Sequence, residues 1–263
     1  MKFNSGILSK HLKALESETR QPSRYVVALS GGLDSVVLLH ALKSHLIQYK
    51  SEIPLIAIHI NHCLQPESQS WVEECEAITK KLDITFKSIN VDVDLNSGKG
   101  LEASARSARY SALLREIQHN DWLITAHHQE DQAETLLINL FRGSGLPGIS
   151  GISKIRKFGL GWLVRPILSI SKDSLVRYAK ENFLDWIEDP SNINLDFDRN
   201  FLRHEVITRI KTRWPNVSDC LHRSAEHAGE ASQLLFELAE IDLKKICSDS
   251  SKIPISKLLT LSP

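Results

Sequence analysis

The sequence predicts an α/β fold: a five-stranded, mainly parallel, doubly wound sheet followed by a small helical segment at the C-terminal end. Apolar runs rich in β-branched residues recur at 25–29, 55–60 and 121–125, continuous as in strands buried on both faces. Helical spacing follows these runs, the pattern of right-handed βαβ units. Polar side chains gather where the runs at 55–60 and 121–125 end, at the edge where parallel sheets bind ligands.

Composition narrows the class. The chain has 263 residues, 42% of them apolar, enough for one domain of about 200 residues and part of a second. Lys+Arg and Asp+Glu are equal at 32 each, so the chain is no general polyanion binder. No run of 18 apolar residues suits a membrane, and residues 1–6 lack a signal core, so a cytoplasmic location is expected. Cys63, Cys75, Cys220 and Cys247 form no C-x-x-C pair, which points to reduced thiols rather than a zinc or disulfide framework.

Taken in order, residues 7–19 carry Ile7, Leu8, Leu12 and Leu15 at helical spacing. The strand at 25–29 runs into Ser30-Gly31-Gly32-Leu33-Asp34-Ser35, and a helix at 36–48 follows. Glycines allow a tight turn whose N–H groups can approach a phosphate, and a helix N-terminus adds amides with partial positive charge. Ser30 and Ser35 add hydroxyls, and Asp34 can ligate a Mg²⁺ that binds the phosphate. The stretch is neither G-x-x-x-x-G-K-[ST] nor G-x-G-x-x-G, and an ordinary capped turn is the alternative.

The second strand, 55–60, ends in His59, Asn61 and His62. His59 reads either as a ligand contact or as a buried, hydrogen-bonded histidine; Asn61 and His62 are placed to touch a base or ribose. Residues 67–82 form an amphipathic helix with Trp71, Cys75 and Ile78 inward, and 84–89 a third strand at an edge. Residues 96–100 form a loop. The alanine-rich stretch from residue 101 is a helix, with Glu102, Arg106 and Arg109 on one stripe. That stripe is either a solvated Glu–Arg ladder or an arginine grip on phosphate.

The fourth strand, 121–125, ends in Ala126-His127-His128-Gln129-Glu130-Asp131-Gln132-Ala133-Glu134. Adjacent histidines rarely face one ion, so a zinc site is disfavoured. Asp131 is assigned with Asp34 to Mg²⁺–phosphate, and the histidines with Glu134 to substrate; helix N-terminal stabilisation by the acids is compatible with both. Residues 142–148, with three glycines, are a lid or a helix stop, and a fifth strand lies at 162–166. Residues 152–180 hold seven Lys/Arg against Asp173 alone, and 199–213 hold five against one Glu. These are solvated faces or contacts to an RNA backbone. Arg199 and Arg203 share a helix face. Residues 217–247 form a long helix with Leu221, Ala225, Ala228, Leu234, Leu235 and Leu238 inward, broken by Pro254.

The ordered motifs at 30–35, 59–64, 101–110, 125–135, 142–151, 165–166 and 188–203 resemble the tRNA(Ile)-lysidine synthase family of N-type ATP pyrophosphatases. The resemblance spans 24–215. It implies an adenine nucleotide alpha hydrolase-like fold, with a catalytic domain at 1–215 and, at 216–263, a helical linker and the start of an incomplete C-terminal domain. It implies a ligase forming a carbon–nitrogen bond, with ATP and Mg²⁺ as cofactors. ATP adenylates C2 of the wobble cytidine of tRNA(Ile) with a CAU anticodon; free L-lysine then displaces AMP. Ser30, Gly31, Gly32, Leu33, Asp34 and Ser35 would hold the nucleotide, and Asp34 and Asp131 the metal. Arg109 would stabilise the transferring phosphoryl group, Glu134 the lysine ammonium, and Arg203 AMP or tRNA. Glu130-Asp131 departs from the family's Asp-Asp. A homodimer is left open, a tRNA-cytidine thiolase is the alternative within the class, and a non-catalytic nucleotide-binding module is the alternative outside it.

Overall fold

The computed structural model describes residues 2–94, 98, 100–246 and 255. After a first helix, α1 (Ser5–Glu18), the chain alternates strand and helix: β1 (Tyr25–Ala28), α2 (Leu33–Gln48), β2 (Leu55–Asn61), α3 (Ser68–Lys81), β3 (Thr85–Asn90), α4 (Leu101–Glu116), β4 (Trp122–Ile124) and α5 (Gln129–Phe141). A short turn of helix, α6 (Leu146–Ile149), leads to a hairpin, β5 (Ile155–Phe158) and β6 (Gly161–Val164), and to α7 (Lys172–Glu181). Beyond a 3-10 turn (Pro190–Ile193) the chain becomes helical: α8 (Asp198–Phe201), a π-helical turn (Leu202–Ile207), α9 (Thr208–Arg213) and α10 (Val217–Ile246).

The sheet has six strands in the order β3-β2-β1-β4-β6-β5. All neighbours are parallel except β5 with β6. The expectation of five strands is therefore corrected by β5. Arg156 and Lys157 are exposed on this edge strand, so its residues lack an apolar run and read as part of a basic stretch. The two-residue turn has Gly159 first, at φ +56°, the position that a glycine suits in such hairpins. The edge position expected for the third strand is observed in β3.

Both faces of the sheet are buried, as continuous apolar strands require. Successive residues of β1 point to opposite sides: Tyr25 and Val27 join α1, α2 and α7, whereas Val26 joins Ala112, Leu113 and Ile117 of α4. In β4, Trp122 and Ile124 go to the first face and Leu123 to the second. A third cluster joins Ala133, Leu136 and Leu137 of α5 to Leu202, Ile207 and Ala225.

The inward face expected along the whole last helix is half right. Ala225 and Ala228 are buried, but Leu234, Leu235 and Leu238 are 66%, 56% and 53% exposed. The first half of α10 lies on α5 and α6, and the second half outruns them. A hydrophobic stripe marks a face able to be covered, not the partner that covers it. Pro254, Cys247 and most of the loop at 96–100 lie outside the described residues.

β1 has β2 on one side and β4 on the other, so the strand order reverses there. The register sets Val27 beside Ile124, and the loops leaving the two strands start side by side. This switch point is where open α/β sheets bind ligands.

Candidate active site

The loop after β1 is braced from within. Ser35 Oγ accepts from Ser30 N at 3.2 Å and donates to Gly32 O at 2.9 Å, so the buried Ser35 hydroxyl holds the turn closed. α2 begins at Leu33, one turn earlier than the expected 36. The amides of Leu33 and Asp34 therefore belong to a helix's first turn, without intrahelical acceptors. Gly31 has φ +85°, and a Cβ there would lie 2.3 Å from Ile187 Cδ1. Ile187 N also donates to Gly31 O at 2.9 Å, so the segment before the 3-10 turn forms the loop's outer wall.

Beside the loop opens a cavity of about 410 Å³. Ser30, Gly32, His62, Arg109 and Asp189 are among its lining residues. Arg109 Nε donates to His62 Nε2 at 3.4 Å, and His62 Nδ1 is buried without a hydrogen-bond partner among the described residues. His59 is buried, with its Nδ1 3.0 Å from Leu29 O and 3.5 Å from Cys75 Sγ, and it also lines the cavity. Asn61 Oδ1 accepts from Cys63 N at 2.9 Å and shapes the strand's exit.

On the other side of the loop lies a charged cluster. His128 is the N-cap of α5, and Asp131 reaches back to accept from His128 N at 2.9 Å. His128 Nε2 is 3.6 Å from Asp34 Oδ2 and 3.6 Å from Asp131 Oδ2. Glu134, fully buried, takes Arg203 Nε at 2.7 Å and Nη2 at 3.1 Å. The same Nη2 lies 3.2 Å from Asp131 Oδ1. Arg203 sits in the π-helical turn, whose extra residue per turn shifts the register of the following residues, a feature frequent at functional sites.

A sequence model described as the PP-loop domain matches residues 5–210. The chain belongs to the PP-loop domain family. That membership indicates ATP binding. The chain is 46% identical to the tRNA(Ile)-lysidine synthase of Coxiella burnetii over 92% of its own length and 53% of that protein. It is 44% identical to the tRNA(Ile)-lysidine synthase of Hydrogenovibrio crunogenus, covering 85% of this chain and 53% of that one. The chain thus spans about half the length of these curated relatives. Among solved structures, the U34-tRNA thiolase NcsA from Methanococcus maripaludis with its [4Fe-4S] cluster superimposes with a TM-score of 0.66 at 18% identity, over 84% of this chain and 77% of that chain. At that identity the likeness is one of fold, adenine nucleotide alpha hydrolase-like.

The PP-loop divides the predicted site residues into two groups. Arg109 lies on the cavity side, whereas Asp34, Asp131, Glu134 and Arg203 meet on the other. The stripe of Glu102, Arg106 and Arg109 disperses: Glu102 lies 3.6 Å from Arg199, Arg106 stacks over Tyr110, and Arg109 turns to His62. Two cluster members, Lys172 and Lys211, carried no signal in the sequence. Lys172 Nζ donates to both oxygens of Asp34 at 2.7 and 2.8 Å. Glu130 accepts from Lys172 N at 2.9 Å, and Lys211 Nζ lies 3.4 Å from Glu130 Oε1. Lys172 and Lys211 belong to the basic stretches, whose charges look alike in sequence; only a position just past a strand's carboxyl end would have singled out Lys172.

Charge around the PP-loop is sorted by environment. Burial pulls the His128 imidazole down, but Asp131, Glu130 and Asp34 together outweigh it and raise its pKa. In that charged form Nδ1–H points to Glu130 Oε2 at 3.2 Å, and the equally close Glu130 N–H is no longer a donor to it. Burial opposes ionisation of Asp131, yet His128, His127 and Arg203 hold its carboxyl below the usual range. Burial likewise opposes ionisation of Glu130, but His128, Lys172 and Lys211 bring it down to about 2. His127 is pushed down to about 3, by burial first and then by Arg165, Arg106 and Arg199 against the pull of Asp131. His62 is lowered to about 4 by burial, Arg109 and His59. His62 is therefore neutral at physiological pH and free to accept from Arg109.

Asp34 and Asp131 are hard oxygen donors from separate elements, both close to one imidazole nitrogen. That donor set suits Mg²⁺, which takes one or two carboxylates together with substrate phosphates. The cations now balancing the pair are Lys172 and Arg203.

Proposed function

We propose that this chain carries the catalytic chemistry of a tRNA(Ile)-lysidine synthase. The substrates are ATP, L-lysine and a tRNA(Ile) whose CAU anticodon presents the wobble cytidine. In the first step the cytidine O2 bonds to the α-phosphorus and pyrophosphate leaves. In the second the lysine ε-amine bonds to C2, AMP leaves and the amine loses a proton.

One observation carries the reading: Asp34 of the PP-loop and Asp131 of the β4 exit converge on the same His128 nitrogen, in a chain whose relatives bear this name across most of its length. The two carboxylates are the ones that would hold Mg²⁺, which when bound neutralises charge on pyrophosphate. The amides of Leu33 and Asp34 receive phosphate oxygens, and the cavity lined by His62 and Arg109 takes the nucleoside end. Arg109 stands where it can also steady charge on the transferring phosphoryl group. Glu134 is the anion for the lysine ammonium, a role that requires Arg203 to release it and turn to the AMP or tRNA phosphate. Residues 1–215 form the catalytic unit, and a helical linker follows from residue 216.

The test is incubation with ATP, labelled lysine and a CAU-anticodon tRNA(Ile) transcript. Label is expected in the RNA, and Asp34→Asn is expected to abolish tRNA-dependent pyrophosphate release while the circular dichroism spectrum shows the fold intact. Unlabelled RNA, in an assay where a full-length relative succeeds, removes the reading for this chain.

A further inference from the structure

Outside the motifs, Lys172 is a basic residue bound directly to the PP-loop carboxylate Asp34. It is the first residue of α7, eight positions beyond the end of β6, and its bond to Asp34 sets it over the carboxyl edge of the sheet. Its ammonium is bidentate on Asp34, whereas its backbone N–H is bound by Glu130 Oε2 at 2.9 Å. A carboxylate at a helix N-terminus is favoured by both hydrogen bonding and the helix dipole. The root of the side chain is thereby fixed and its charged end is not, since the side chain is 38% exposed.

We propose that Lys172 is a phosphate-binding residue with two stations. In the first its ammonium neutralises Asp34. In the second, Asp34 is taken by the divalent cation that accompanies ATP, and the ammonium moves to the β- and γ-phosphate oxygens. The exchange follows from charge. A divalent ion on the Asp34 carboxylate repels an ammonium from the same oxygens, and the arriving polyphosphate supplies acceptors beside it. The flexible four-carbon stem lets the charge move while Glu130 keeps the Cα in place. This inference rests on the ATP reading given above.

The experiment uses Lys172→Met and Lys172→Arg in the intact chain, with melting curves to establish that each is folded. Calorimetric titration compares Mg²⁺–ATP with AMP, and electron paramagnetic resonance measures Mn²⁺ binding without nucleotide. Lys172→Met is expected to weaken ATP by about tenfold or more, the worth of one charge-assisted hydrogen bond, and to leave AMP unchanged. The same variant is expected to bind Mn²⁺ more tightly, because Asp34 no longer has a competing cation. Lys172→Arg is expected to recover most of the ATP affinity. Unchanged ATP binding, equal losses for ATP and AMP, or weaker Mn²⁺ binding overturns the proposal. Failure of the wild-type chain to bind ATP in the same titration overturns the nucleotide reading, and this one with it.

Discussion

His128 sets the charge balance of the cluster, because Asp34, Glu130 and Asp131 all lie within 3.6 Å of its ring. Its raised pKa has a definite consequence for stability. A group whose folded value exceeds its unfolded value of about 6.5 stabilises fully below that pH and loses the contribution as pH rises through the folded value. The stability difference between wild type and His128→Gln is therefore expected to be greatest below pH 6.5 and to shrink on the alkaline side. Urea denaturation across that range measures it, and a difference that grew with pH would contradict the assignment. Glu130 has the opposite sign. Its contribution is present above about pH 4.3 and is lost as pH falls toward its folded value of about 2. The Glu134–Arg203 pair is also a matter of single residues. Glu134→Ala leaves Arg203 without its main partner beside a buried site. The expected loss is about 2–3 kcal/mol, below the range for fully enclosed pairs because Arg203 keeps some access to water. Glu134→Gln, which keeps an acceptor, is expected to lose less in the same unfolding assay.

Between elements, the PP-loop depends on a segment far along the chain. Ile187 closes over Gly31, so the loop has one shape only while the segment after α7 is docked. Gly31→Ala adds a methyl against Ile187 to a backbone at φ +85°. The strained φ and the overpacking together are expected to cost about 2–5 kcal/mol and to weaken ATP binding. Gly143→Ala is the matched control, with φ +70° and open space around its Cβ. It is expected to cost only about 1–2 kcal/mol and to leave ATP binding alone. Chemical denaturation and ATP titration of the two variants separate packing from backbone strain; equal losses would mean that Ile187 yields. The π-helical turn acts at the same scale. It carries Arg203 onto α5 within a stretch whose residue types are those of an ordinary helix.

Across the whole molecule, the site draws on four distant parts of the chain: Asp34, Asp131, Lys172 and Arg203. The strands beneath it, β1 and β4, are buried on both faces, whereas residues 233–241 of α10 are exposed. Hydrogen exchange is expected to divide the same way, slowest in β1 and β4 and fastest in α10 beyond residue 232. Mass-resolved exchange checks this, and protection of the α10 end comparable to that of β1 would show that its apolar stripe is covered in solution. The order of strand and helix, the glycine turn and the acids at the β4 exit were legible in the sequence, because each is a local pattern of spacing and residue type. The edge strand β5 was not, since its exposed Arg156 and Lys157 match a solvated basic stretch. Nor was the partner of Asp34, since Lys172 is one of seven cations in such a stretch. Residue types along the chain by themselves determined the elements, the phosphate loop and the candidate carboxylates. Only the tertiary structure decided which cation meets which carboxylate, because that depends on strand order, register and helix placement, which join residues 69 to 138 positions apart.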